Sequence, residues 1–213
     1  MGTILHGAGR GMTGARGGRL AYFAAEIPRR LVRASLCGLY DVSAWHIASS
    51  ANKPYVLDVI AYLEARRPLR VVEVGCGFCD ILSHVPAPVR LGYDADARVV
   101  RAAQLYTRLK RSRVGLQRLD LMREGVPPVG ADAWILVNWL HEFEPEPVAR
   151  RLREVFAQLE PGGVMIFDTV TSPPYRYAHD AAAIVEGLPC ALQEISREPE
   201  HGRAVWAAER TNG

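Results

Sequence analysis

Residues 69–80 read LRVVEVGCGFCD, a β-branched apolar run broken by two glycines. The run lies between Pro68 and Gly75 and is too short for a helix. It reads as a strand buried on both faces. Gly75 and Gly77 allow a sharp turn and let the backbone approach a ligand with no Cβ in the way. A helix starting after such a turn would point free N–H groups at an anionic or polar part of that ligand.

Four similar runs follow, VRLGYD (89–94), VGLQRLD (114–120), AWILVNW (133–139) and VMIFDTV (164–170). Helix-like segments separate them. The clearest are 95–110 and 147–159, where Val148, Leu152, Val155, Phe156 and Leu159 recur near the helical period. The connection DLMREGVPPVGAD is too short and proline-rich for a full crossover helix, and 177–187 reads as the last helix. ALQEISRE and RAVWAAER flank the turn-forming PEHG and read as a hairpin. Strand–helix alternation gives an α/β three-layer sandwich: a seven-stranded, mostly parallel sheet with a terminal antiparallel hairpin strand. Upstream, 20–37 reads as a helix interrupted by Pro28, and 41–50 as a second, short one. A third has Asn52 as cap and Pro54 in its first turn.

The expected division is a disordered Gly/Arg-rich arm (1–19), N-terminal helices covering the active site (20–66) and a catalytic core (67–213). The glycines of the arm interrupt any apolar stretch a secretory signal would need, and no run of about 18 apolar residues suggests a membrane span. Net charge is +3, yet residues 1–36 carry six arginines against Glu26, so the remainder is −2. A nucleic-acid enzyme concentrates basic charge on its folded body; here the excess is in residues 1–36. Cys37, Cys76, Cys79 and Cys190 form no disulfide framework, which fits a reducing cytoplasm. Oligomeric state is not legible.

In this setting Glu73, Gly75, Cys76 and Gly77 resemble the first motif of the class I (Rossmann-like) S-adenosylmethionine-dependent methyltransferases, small-molecule type. Cys79 stands where that family commonly has a third glycine. The resemblance runs from about Tyr55 to the end of the chain and implies S-adenosyl-L-methionine as cofactor. It further implies that Asp94, followed by Ala95, holds the ribose hydroxyls, a role suited to a carboxylate that accepts two O–H donors. It places Asp120 by the adenine amino group and Leu121 by the ring, Asn138 and Trp139 on the cofactor site, and LEPGGVMIFDT at the turn into the fifth strand. A nicotinamide enzyme would need G-x-G-x-x-G, and the sixth position here is Asp80.

Methyl transfer is in-line displacement, so the protein mainly aligns the reactants; a base is needed only for an acceptor that must lose a proton. His141, after the fourth strand, is the candidate base, and LHEF is similar to the L-H-D-W-type segment of small-molecule O-methyltransferases. Against this stands a role in packing the site wall. Glu142 either orients His141 or is a solvated acid. Trp45, His46 and Tyr55, in the N-terminal helices, are candidate substrate contacts, with core packing as the alternative. Cys76-x-x-Cys79 has no second pair, so no metal site is expected. TSPPY (171–175) resembles the S-P-P-Y motif of amino-methylating DNA methyltransferases but follows the wrong strand, and reads as a proline-rich loop. The expected activity is methyl transfer to an oxygen or nitrogen of a small-molecule acceptor. The alternatives are a nucleic-acid or protein methyltransferase docking through the arm, and a non-catalytic cofactor-binding protein.

Overall fold

The computed structural model describes residues 16–48, 53–171, 175–199 and 202–211. Helix α1 (Arg16–Tyr40), a 3-10 turn (Ala44–Ile47) and α2 (Pro54–Arg66) precede the first strand. Then come β1 (Arg70–Val74), β2 (Val89–Asp94), α3 (Ala97–Leu109), β3 (Gly115–Arg118), α4 (Leu121–Glu124), β4 (Ala131–Leu136), a 3-10 turn (Leu140–Glu142) and α5 (Pro145–Ala157). β5 (Leu159–Thr169), α6 (Ala181–Val185), β6 (Cys190–Glu198) and β7 (Arg203–Arg210) complete the chain.

One seven-stranded sheet has the order β3-β2-β1-β4-β5-β7-β6. β1 to β5 run parallel to one another, and β7 runs antiparallel between β5 and β6. The chain moves outward from β1 to β3 and then returns to the other side of β1 with β4. That reversal opens a crevice beyond the carboxyl ends of β1 and β4, where such sheets bind ligands. Alternation along each strand divides the core. Val71 and Ile135 pack toward Val59, Leu63, Val99 and Ala103 of α2 and α3. Val72, Val74, Trp134 and Leu136 pack toward Val148, Leu152 and Phe156 of α5.

Several boundaries differ from the sequence expectation. α1 begins at Arg16, inside the stretch assigned to the arm, and continues through Pro28; residues 1–15 lie outside the described residues. The second helix reduces to the 3-10 turn capped by Ser43. Asn52 lies outside the described residues, and the cap position of α2 is Lys53, with Pro54 in the first turn. The last helix spans five residues, started by the Asp180 carboxylate accepting the Ala183 N–H (2.9 Å).

The larger correction concerns the segment after the glycine turn, which is not a helix. Bonds from Cys79 N to Cys76 O (2.7 Å), Ser83 N to Cys79 O (3.0 Å) and Val85 N to Ile81 O (3.2 Å) form successive turns. Cys79 sits at φ +61, a left-handed conformation that interrupts any helix. Pro86 and Pro88 then remove two N–H donors. The glycine common at the Cys79 position of the family has a physical basis in that φ.

Candidate cofactor and acceptor cleft

A cleft of about 530 Å³ opens at the carboxyl ends of β1, β2 and β4, within the usual range for a small-molecule site. Glu73, Gly75, Cys76 and Gly77 come from β1 and its turn, Asp94 from the end of β2, and Asn138 and His141 from the segment after β4. Trp45 and His46 of the first 3-10 turn close one side. These expected residues therefore share one cleft.

Gly75 (φ +66) and Gly77 (φ +48) have the left-handed backbone that glycine tolerates. A Cβ on Gly75 would lie 3.1 Å from Trp139 Cδ1, and one on Gly77 would lie 3.1 Å from His46 Nδ1. The turn is pinned to β2: Asp94 accepts the Gly77 N–H (3.2 Å) on one oxygen and the Asp96 N–H (3.0 Å) on the other. Burial raises the Asp94 carboxyl above its usual range, and these two N–H groups oppose that shift. Glu73 is pushed well above its ordinary value by burial and then by Asp80, with the Leu82 backbone bond opposing. Its Oε2 is buried without a partner. An orphaned acceptor on the wall of a cleft suits a ligand that brings a donor.

Other expectations fall outside the cleft. Asp120 does not line it: its carboxylate accepts the Met122 (3.1 Å) and Arg123 (3.2 Å) N–H groups and caps α4. Leu121 is 2% exposed and packs in the core beneath α5. Ala95 contributes its carbonyl to Arg118 (3.3 Å). Trp139 packs on Gly75 and against the Phe143 ring (4.8 Å between centroids), behind the cleft wall. Tyr55 is buried and donates its hydroxyl to Asn138 Oδ1 (3.0 Å), so it supports the wall.

His141 is 8% exposed, with its ring edge-on to Tyr175 at 4.5 Å. Burial, then the Arg203 charge, then His179 lower its pKa to about 4. The imidazole is therefore neutral at ordinary pH and has a lone pair to offer. Glu142 Oε1 lies 3.6 Å from Nε2, but its side chain is 68% exposed. That is the geometry of a solvated acid rather than a firm orienting partner.

Beside His141 is a network that pattern reading missed. Arg203, 2% exposed, is paired with Asp168 of β5 and donates to the Tyr175 hydroxyl (2.6 Å). Its guanidinium lies 4.7 Å from the Tyr55 ring centre and 5.3 Å from that of Tyr175. Asp168 also accepts the Asn138 N–H (2.8 Å) and so helps hold Asn138 at φ +60. Tyr175, assigned to a proline-rich loop, thus lines the cleft next to His141; residues 172–174 lie outside the described residues. The Cys76 thiol is pushed well above its usual pKa by the Cys79 sulfhydryl and by burial. Among the described residues no group of three or more His, Cys, Asp or Glu side chains could hold a metal ion. No helix among them is long and apolar enough to cross a membrane.

No protein-family model matches the chain, and no curated protein matches it in sequence. Solved structures do match it in fold. Magnesium protoporphyrin IX methyltransferase from Synechocystis PCC 6803, with bound S-adenosylmethionine, superposes with a TM-score of 0.65 at 17% identity, over 94% of this chain and 100% of that one. A putative O-methyltransferase from Nostoc punctiforme PCC 73102 gives 0.62 at 20% identity, over 76% and 56%. The CurJ carbon methyltransferase gives 0.57 at 17% identity, over 78% and 55%. The chain has the α/β fold of the class I methyltransferases.

Proposed function

We propose that the protein is an S-adenosylmethionine-dependent methyltransferase acting on an oxygen or nitrogen of a small-molecule acceptor. The observation that carries the reading is the convergence of Glu73, Gly75, Gly77 and Asp94 on one cleft at the switch point of the sheet. Gly75 and Gly77 supply the left-handed backbone of the turn, against which Trp139 and His46 pack. Asp94 offers carboxylate lone pairs to hydroxyl donors, and the unpartnered Glu73 Oε2 offers an acceptor to an N–H donor. A nucleoside bearing an amino-acid tail supplies both kinds of donor.

When bound, S-adenosylmethionine supplies an electrophilic methyl group on a sulfonium that leaves as a neutral thioether. The chain's own task is then alignment and proton removal. Asn138 and His141 come from the segment after β4, on the same cleft as the glycine turn. Neutral His141 accepts the proton of a hydroxyl or amine nucleophile as the methyl group moves. A base this weak matches an acidic hydroxyl better than an alkyl alcohol. The solved relatives include enzymes described as oxygen and carbon methyltransferases, so the fold alone leaves the acceptor atom open.

Calorimetry with S-adenosylmethionine, S-adenosylhomocysteine and NAD tests the reading. The first two should bind and NAD should not; NAD binding in their place would overturn it. A screen of phenol, carboxylic acid, alcohol and amine acceptors then identifies the nucleophile.

A further inference from the structure

Arg33 of α1 is 2% exposed, on the same helix face as buried Leu36 and Cys37, while Leu31, Val32 and Leu39 are exposed. Burying a guanidinium costs several kcal/mol unless its donors are satisfied, and the partners found here all belong to one place. Arg33 is paired with Asp80, three residues beyond Gly77, and a second bond to that carboxylate measures 3.3 Å. It also donates to the Ala48 carbonyl (3.0 Å), just past the 3-10 turn that carries Trp45 and His46. Its guanidinium lies over the rings of Tyr106 (4.9 Å) and Phe78 (5.6 Å). One cation therefore joins the cleft-closing turn to the far side of the glycine turn.

The turn is fastened at its other end too. Val42 is buried and its N–H bonds to Cys37 O (2.9 Å). The Ser43 hydroxyl caps the turn by accepting the Trp45 N–H (3.3 Å). Between these anchors His46 rests on Gly77, with Nδ1 3.1 Å from the position a Cβ would take, and its ring is edge-on to Phe78 at 5.8 Å. His46 lines the cleft together with Gly77 and Asp94. It stands on the side assigned to the nucleoside, whereas His141 and Tyr175 form the other wall.

We infer that His46 contacts the cofactor rather than the acceptor, and that Arg33 is a positioning residue that latches the Ser43–Ala48 segment over the bound nucleoside through Asp80 and Ala48. The assignment rests on the function proposed above. It gives the charge on the packed face of α1, beside buried Leu36 and Cys37, a role: without it the end of the lid and the Asp80 carboxylate lose their common partner.

The test uses the full chain, S-adenosylhomocysteine calorimetry and amide exchange. His46 is on a surface turn, so His46→Ala should fold as the wild type and bind about tenfold more weakly, as loss of one ring contact with its hydrogen bond implies. Arg33→Met should weaken binding similarly, and the double variant should be no more than about twofold weaker than either single one, because both act through one lid. In the absence of ligand, Arg33→Met should speed exchange at the Trp45 and His46 amides, a readout that does not depend on the cofactor. Unchanged affinity in both single variants, additive losses in the double, or unchanged exchange would overturn the inference while leaving the functional reading intact. Failure of the wild type to bind S-adenosylhomocysteine would overturn the functional reading and the role of His46 together, and the exchange result would still decide the latch.

Discussion

Arg203→Met is the substitution whose consequence the structure states most sharply. Methionine matches the length of the arginine stem but removes the cation. Asp168, whose side chain is 0% exposed, would keep its charge and only the Asn138 N–H as a close partner. Breaking a buried ion pair from one side costs about 3–5 kcal/mol. At roughly 2–4 °C per kcal/mol for a chain of this size, the melting temperature should fall by about 6–20 °C. Removing both charges in Asp168→Leu with Arg203→Met leaves a smaller deficit, mainly the Asn138 N–H without its acceptor, about 1–3 kcal/mol. The double variant should therefore melt above the Arg203→Met single variant. Differential scanning calorimetry at neutral pH decides it. A single variant within about 2 °C of wild type, or a double variant less stable than the single, would refute the view that an uncompensated Asp168 charge controls this region.

Other outcomes follow from the same geometry. Asp94→Ala should weaken S-adenosylhomocysteine binding by about 1.5–3 kcal/mol, roughly ten- to hundredfold, the worth of hydrogen bonds to a charged acceptor; calorimetry measures it. His141→Gln should leave that binding intact and slow transfer to a hydroxyl acceptor, and unchanged turnover would remove the base assignment. With a folded pKa of about 4 against about 6.5 unfolded, His141 contributes stability that is full above pH 6.5 and lost as pH falls toward 4, because the unfolded chain takes up the proton first. His46 and His179 are shifted the same way, chiefly by burial, so His141→Gln should flatten only part of that slope in urea titrations across this range. Gly92→Ala should lower stability by about 1–3 kcal/mol through overpacking, since its Cβ would meet Leu116 Cδ2 at 2.7 Å and Cys76 Sγ at 2.9 Å.

The parallel sheet was legible because each strand is a continuous apolar run punctuated by glycine, proline or an acid, a signal that does not depend on distant partners. The hairpin was legible for the same local reason. Lengths were less so. β5 starts at Leu159, ahead of the PGG turn, because Leu159 already pairs with Ala131 before the register shifts near Ala133. The helix expected after Gly77 fails because Cys79 takes a positive φ, which no residue type except glycine advertises. Asp94 and Asp120 show the limit of position-based reading. Both close strand-like runs in the sequence, but Asp94 ends β2 and lines the cleft, whereas Asp120 lies two residues past β3 and caps α4.

The wall beside His141 was hidden for a topological reason. Arg203 opens an unremarkable run, RAVWAAER, that as an edge strand would place its charge in water. The sheet instead puts β7 inside, between β5 and β6, so its first residue is covered on both sides. A cation in that position requires an anion on the adjoining strand, and β5 runs antiparallel alongside with Asp168 opposite Val205 and Thr169 opposite Ala204. Asp168 then turns its second oxygen to the Asn138 amide after β4, and Arg203 its second nitrogen to Tyr175. Strand order thus converts one buried charge into a chain of contacts reaching His141, and it is strand order that no local pattern in 203–210 contains.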